Sequence, residues 1–186
     1  MNTVTTPRIA PCPLPLPPDL AERMNRLLPA GMPPPQIFLT VARHGELFKE
    51  MVDTGLLGPT GLADRRRLAP ELREALILRT CAMARCDYEF HLHEQTLSRR
   101  MGLSDAQITD LRQPALDATL WTPPLLAALG LADGLVQRLE VVDASWAELR
   151  RHFDEAALIE MTQLIGHYTG VAMLAALARP SLDRYR

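Results

Sequence analysis

Residues 71–102 read ELREALILRTCAMARCDYEFHLHEQTLSRRMG. Leu72, Ala75, Leu76, Ile77 and Leu78 point in nearly every direction around a helix, the pattern of a buried helix. Pro70 suits its first turn, with Glu71 and Glu74 near the positive end of the dipole. Glu74 is the exception in this run, because a carboxylate beside such a face has to be solvated or paired. Asp87 can open a second helix, so a break is expected near Arg85. That break leaves Cys86 at a helix N-terminus, where the dipole lowers a thiol pKa. On helical spacing Cys86, Glu89 and His93 fall within roughly 60° of one face. Glu89 and His93, at i and i+4, can hydrogen-bond directly. A carboxylate beside an imidazole sets the ring tautomer and raises its pKa, as a proton-transfer site requires. The plainer readings are a solvated i,i+4 pair for Glu89 and His93 and a small buried hydrophobe for Cys86.

The rest of the chain reads as helices joined by proline- and glycine-marked turns. Ten of the sixteen prolines lie in the first 35 residues, so residues 1–18 read as an extended arm. Leu14 and Leu16 give it an apolar edge that can dock on its own or a neighbouring subunit. Asp19 can cap a helix from Leu20 to Leu28. Helical patterns follow over Gln36–His44 and Glu46–Thr54, and then a loop holds Gly55, Gly58, Pro59 and Gly61. Gly102 closes the central pair of helices, and Ser104-Asp105-Ala106-Gln107 opens the next with a capping-box pattern. Pro123-Pro124 precedes a helix with Leu126, Leu129, Val136 and Leu139 inward. Ser145-Trp146-Ala147-Glu148 is a second capping-box pattern. The last long helix starts at Asp154 or Glu155 and carries a core stripe of Leu158, Met161, Leu164, Ile165, Tyr168 and Met173. His167 and Tyr168 are candidate pocket residues. No stretch alternates with the two-residue period of a strand, so the expected fold is all-α, with one helical domain over residues 19–186.

Composition narrows the function. At 186 residues the chain can bury a substantial core. A formal net charge of -2 gives no electrostatic basis for binding nucleic acid. Lys49 is the sole lysine and lies in a charged helix, which leaves little room for Schiff-base chemistry. Three cysteines, two of them pointing about 140° apart if the helix is continuous, argue against disulfides and for a reducing compartment. The prolines interrupt any signal-like apolar run, and no stretch approaches a membrane span, so the expected location is the cytoplasm. There is no Gly-x-Ser-x-Gly elbow, no P-loop and no dinucleotide fingerprint. His91 and His93 lie roughly 200° apart around a helix and cannot share a metal. A metal held by Glu74, Glu89 and His93 is chemically conceivable; the expectation is of no metal and no cofactor.

Glu89-Phe90-His91-Leu92-His93, with the Gly102-Leu103-Ser104 exit, resembles the core of the carboxymuconolactone decarboxylase family, within the alkylhydroperoxidase D-like superfamily. The likeness covers roughly residues 68–112. In the hydroperoxidase branch a glutamate is followed, about a dozen residues on, by Cys-x-x-Cys-x-x-x-His. Here Glu74 falls at the glutamate, Cys86 at the first cysteine, Glu89 at the second and His93 at the histidine. The redox pair is therefore broken, whereas Glu89 and His93 match the Glu-x-x-x-His of the decarboxylase branch. The resemblance implies an alkylhydroperoxidase D-like helical bundle that assembles as a homo-oligomer and acts on a small-molecule substrate. It implies Glu74, Cys86, Glu89 and His93 as site residues. His93 would deliver or relay a proton, Glu89 would orient and charge it, and Glu74 would be a second proton-handling group. Two rival readings follow from the same residues: a thiol peroxidase using Cys86, and a non-catalytic oligomeric binding protein that retains the pocket.

Overall fold

The computed structural model describes residues 6–58 and 67–185. Among the described residues there are helices and no strands, as the sequence predicts. The helices are α1 (Pro18–Leu27), α2 (Gln36–Val41), α3 (Gly45–Asp53), α4 (Pro70–Met83), α5 (Asp87–Thr96), α6 (Asp105–Asp110), α7 (Pro123–Arg138), α8 (Asp143–His152) and α9 (Glu155–Ala178). Among the described residues no helix is long and apolar enough to cross a membrane. Two compact units form, Met1–Arg65 with Leu174–Arg184, and Arg66–Met173 with Tyr185–Arg186.

In the first unit Leu20, Met24, Leu39, Ala42, Phe48 and Val52 form the core, and Cys12 and Leu16 of the proline-rich segment pack against it. That segment is tied to its own chain: Cys12 N donates to Leu39 O at 2.9 Å and Arg8 N to Ala178 O at 2.8 Å. Leu16 docks, but Leu14 stays exposed, so only half of the expected apolar edge is used. Asp19 does not cap α1. The helix starts two residues earlier than expected, on Pro18, whose fixed φ suits the first helical position, and Asp19 falls inside the first turn. The helix expected to reach His44 ends at Val41, and Gly45 is the first residue of α3, with the His44 side chain accepting from Leu47 N at 3.2 Å. Of the predicted glycine loop, Pro59 and Gly61 lie outside the described residues.

The second unit is built around α4, which packs against α5 and α7. Its connection to α5 is a left-handed cap at Arg85, φ 55°. Cys86 N donates to Cys81 O at 2.8 Å and Arg85 N to Ala82 O at 3.1 Å, which satisfies the last carbonyls of α4 in the Schellman arrangement. So tight a reversal makes α4 and α5 antiparallel neighbours and brings the start of one beside the end of the other. The Ser104–Gln107 capping box opens α6 as predicted.

Three local expectations fail. Helix α5 ends at Thr96, short of Gly102, and turns fill the interval. Ser145 caps nothing, because α8 already begins at Asp143. Leu139 and Met173 point outward, 89% and 68% exposed. Leu139 has left the helix for a left-handed conformation, φ 53°, which turns its side chain away from the α7 core stripe. This ending of α7 also brings Glu140 O to where a Cβ on Gly134 would sit 2.5 Å away, so only glycine fits there.

A buried arginine ties the helices of this unit together. Arg79, with no exposed surface, donates from Nε and Nη2 to the two oxygens of Asp133 on α7 at 2.6 and 2.7 Å. Its Nη1 donates to Leu111 O at 3.1 Å and Gln113 O at 2.6 Å. These bonds fix α4 to α7 and to the segment that follows α6.

Candidate active site

Glu74 in the first turns of α4 and His93 near the end of α5 meet because the two helices reverse at Arg85. Nδ1 of His93 lies 3.0 Å from Oε1 and 3.1 Å from Oε2 of Glu74. Ser98, just beyond α5, donates its hydroxyl to Glu74 Oε1 at 2.8 Å. On the other side of the ring, Nε2 lies 3.4 Å from Oε1 of Glu89, one turn earlier on α5. That distance is an ion-pair contact, longer than an ordinary hydrogen bond. The imidazole is therefore gripped at Nδ1 and loosely held at Nε2. Tyr168 of α9 stands edge-on to the His93 ring at 5.4 Å between centroids, and His167 stands edge-on to Tyr168 at 5.3 Å.

Burial is graded across the site. Glu74 and Ser98 have no exposed surface, whereas His93, Cys86, Glu89 and Tyr168 retain 5–8%. Glu74 and Ser98 form the enclosed floor of the site, and the small exposed remainder belongs to the residues around them. Two buried side-chain oxygens among the described residues lack a hydrogen-bond partner, Thr80 Oγ1 and Glu89 Oε2.

The electrostatics follow from this geometry. Burial opposes a charge on His93, but the charge and hydrogen bond of Glu74, followed by Glu89, outweigh it and push the ring up to about 10. At neutral pH His93 is an imidazolium that donates from Nδ1 to Glu74. Burial likewise opposes charge on Glu74, yet His93, Ser98 and Arg73 hold its carboxyl below the ordinary value. Burial pushes the Tyr168 phenol up and keeps it protonated. Burial also lowers His167, which favours its neutral form.

This pairing makes stability depend on pH. His93 titrates at about 10 folded and near 6.5 in an unperturbed chain, so its contribution is complete below about 6.5 and lost as pH rises through about 10. Glu74 works in the opposite sense: its contribution is complete above the ordinary 4.5 and lost as pH falls through its lowered folded value. Chemical denaturation across pH is expected to show stability falling between about pH 7 and 10, with the alkaline fall absent in His93→Gln. A wild-type profile flat over that interval contradicts the charged pair.

The four sequence-predicted residues lie together, but not in the expected arrangement. Glu89 and His93 form the i,i+4 contact on α5. The residue bonded to the ring nitrogen is Glu74, on the neighbouring helix, where the sequence reading gave the orienting part to Glu89. Cys86 does occupy the position just before α5. Its thiol is nonetheless raised, first by burial and then by the nearby Glu89 and Asp87 charges, which together outweigh the backbone N–H groups of Glu89 and Tyr88. Burial raises the Cys81 thiol further still. All three cysteines are free thiols. A shared metal on Glu74, Glu89 and His93 does not fit: the two carboxylates approach opposite nitrogens of one ring, so the donors do not converge. Among the described residues no group of three or more His, Cys, Asp or Glu side chains is arranged to hold a metal ion. Ser98 was missed by sequence reasoning, and a serine in a presumed continuous helix carries no signal of this role.

Comparison with protein-family models, with curated proteins and with solved structures finds no match for this chain.

Proposed function

We propose that this chain is a carboxymuconolactone decarboxylase-like enzyme with an alkylhydroperoxidase D-like helical bundle, acting by acid/base chemistry on a small cyclic unsaturated acid or lactone. The supporting observation is the charged His93 ring, tied at Nδ1 to Glu74 and only loosely held at Nε2 by Glu89. Loss of CO2 breaks a carbon–carbon bond and leaves its electron pair delocalised into an enolate-type system. The carbon must then be protonated. Nε2–H of His93 is the proton to deliver, since Nδ1–H is committed to Glu74. The distances favour Glu74 as the group that orients and charges the ring. Glu89 then faces the substrate, and the same pair of groups serves an isomerisation in which a proton is removed and returned. The homo-oligomeric state implied by the family resemblance belongs to this proposal.

Thiol peroxidase chemistry is the weaker reading. It needs a thiolate and a resolving thiol, whereas burial holds Cys86 protonated and Glu89 stands at the resolving position.

The test is incubation with carboxylated unsaturated lactones and cyclic acids in heavy water, following CO2 and deuterium at the product carbon. Turnover is expected, with His93→Gln reducing kcat by about a hundred- to ten-thousand-fold. Absence of CO2 release and of deuterium exchange across the series, or full activity in His93→Gln, sinks the proposal.

A further inference from the structure

Oε2 of Glu89 makes an unmet chemical demand. It is buried in a residue only 6% exposed and has no hydrogen-bond partner. Its sister oxygen faces Nε2 of His93 at 3.4 Å. Both oxygens of Glu74 are already engaged by His93 and Ser98. A buried carboxylate oxygen without a donor is costly, and in a low-dielectric site a donor that reaches it is bound strongly.

The neighbourhood restricts what that donor can be. A carboxylate, ether or ester oxygen of a ligand has only lone pairs to offer and would face lone pairs. An ammonium or guanidinium donor would stand beside the imidazolium of His93 and be repelled by it. Among the groups that a cyclic unsaturated acid or lactone of the proposed class carries, a neutral O–H satisfies the oxygen without either conflict. We infer that the substrate of this site carries a hydroxyl or enol O–H that it donates to Oε2 of Glu89, next to the carbon that faces Nε2 of His93. The inference rests on the proposed acid/base site and deepens it to a class, hydroxylated or enolic cyclic acids.

The experiment is a binding measurement and needs no turnover. Dissociation constants of meta-hydroxybenzoate and meta-methoxybenzoate are measured by calorimetry on the full chain, wild type and Glu89→Gln. The methoxy acid carries a methyl in place of the hydroxyl hydrogen and so cannot donate; Glu89→Gln, which leaves the added methyl's bulk in place, separates loss of the donor from size. The hydroxy acid is expected to bind wild type about tenfold or more tightly than the methoxy acid, and Glu89→Gln is expected to remove that difference. Equal binding of the two by wild type overturns the inference. So does a preference that survives in Glu89→Gln, or no binding of either acid at millimolar concentration. Decarboxylation of some other acid alongside equal binding would sink this inference and leave the proposed function standing. The expected preference without any turnover would do the reverse.

Discussion

Glu74→Gln is expected to return the His93 pKa from about 10 to the ordinary imidazole range or below, and to cut kcat by about a hundred- to ten-thousand-fold. The substitution preserves shape. The amide oxygen can still accept from Nδ1 and from Ser98, so the floor of the site keeps its hydrogen bonds. What disappears is the charge that most opposes the burial of a cationic ring. Without it desolvation dominates and the ring becomes neutral near neutral pH. The amide oxygen still holds the one proton of the neutral ring at Nδ1, so Nε2 has none to deliver. Imidazole resonances followed by NMR across pH report the first effect, and the pH–rate profile reports the second. The alkaline fall in stability should move to lower pH in the same variant. A His93 titration unmoved by Glu74→Gln would mean that Glu89 alone charges the ring, the arrangement first expected from the sequence.

The other large effect is structural. Arg79→Met is expected to destabilise the fold by about 3–5 kcal/mol, lowering Tm by about 10 °C for a chain of this size. Methionine fills much of the volume, so the loss comes from the groups stranded by it. Asp133 loses a bidentate partner, and Leu111 O and Gln113 O lose their donor. A second substitution checks the cause. Arg79→Met with Asp133→Leu should recover part of the loss, because it removes the carboxylate that the single variant leaves without its partner. Thermal denaturation of wild type, both single variants and the double variant measures the coupling. If the single variant melts within about 2 °C of wild type, the Arg79 network does not hold α4 in place. Because α4 carries Glu74, a loosened α4 should also weaken the grip on Nδ1 of His93.

Much of this architecture is visible before folding, and the reason is locality. Pro70 opening α4, the break at Arg85, the Ser104–Gln107 cap and the Glu89–His93 contact are each settled within one or two helical turns. Residue spacing and backbone preference suffice for them. Failures begin where competing local signals overlap. Ser145 has the pattern of a cap, but Asp143 starts the helix first. Asp19 likewise is overtaken by Pro18.

The partition of roles within the site lies beyond such patterns. Glu74 and His93 are nineteen residues apart, and their bond depends on how tightly the Schellman turn folds α5 back along α4. Ser98 joins them only because α5 stops at Thr96. The Cys86 thiol shows the same division: its place before a helix is a local fact, but the sign of its pKa shift is set by burial, which neighbouring helices impose. Spacing along one helix foretells which groups can share a face. Which of those groups is desolvated, which is paired and which keeps an uncommitted oxygen is decided by the packing of α4, α5 and α9, because desolvation and hydrogen-bond geometry depend on everything that surrounds an atom in space.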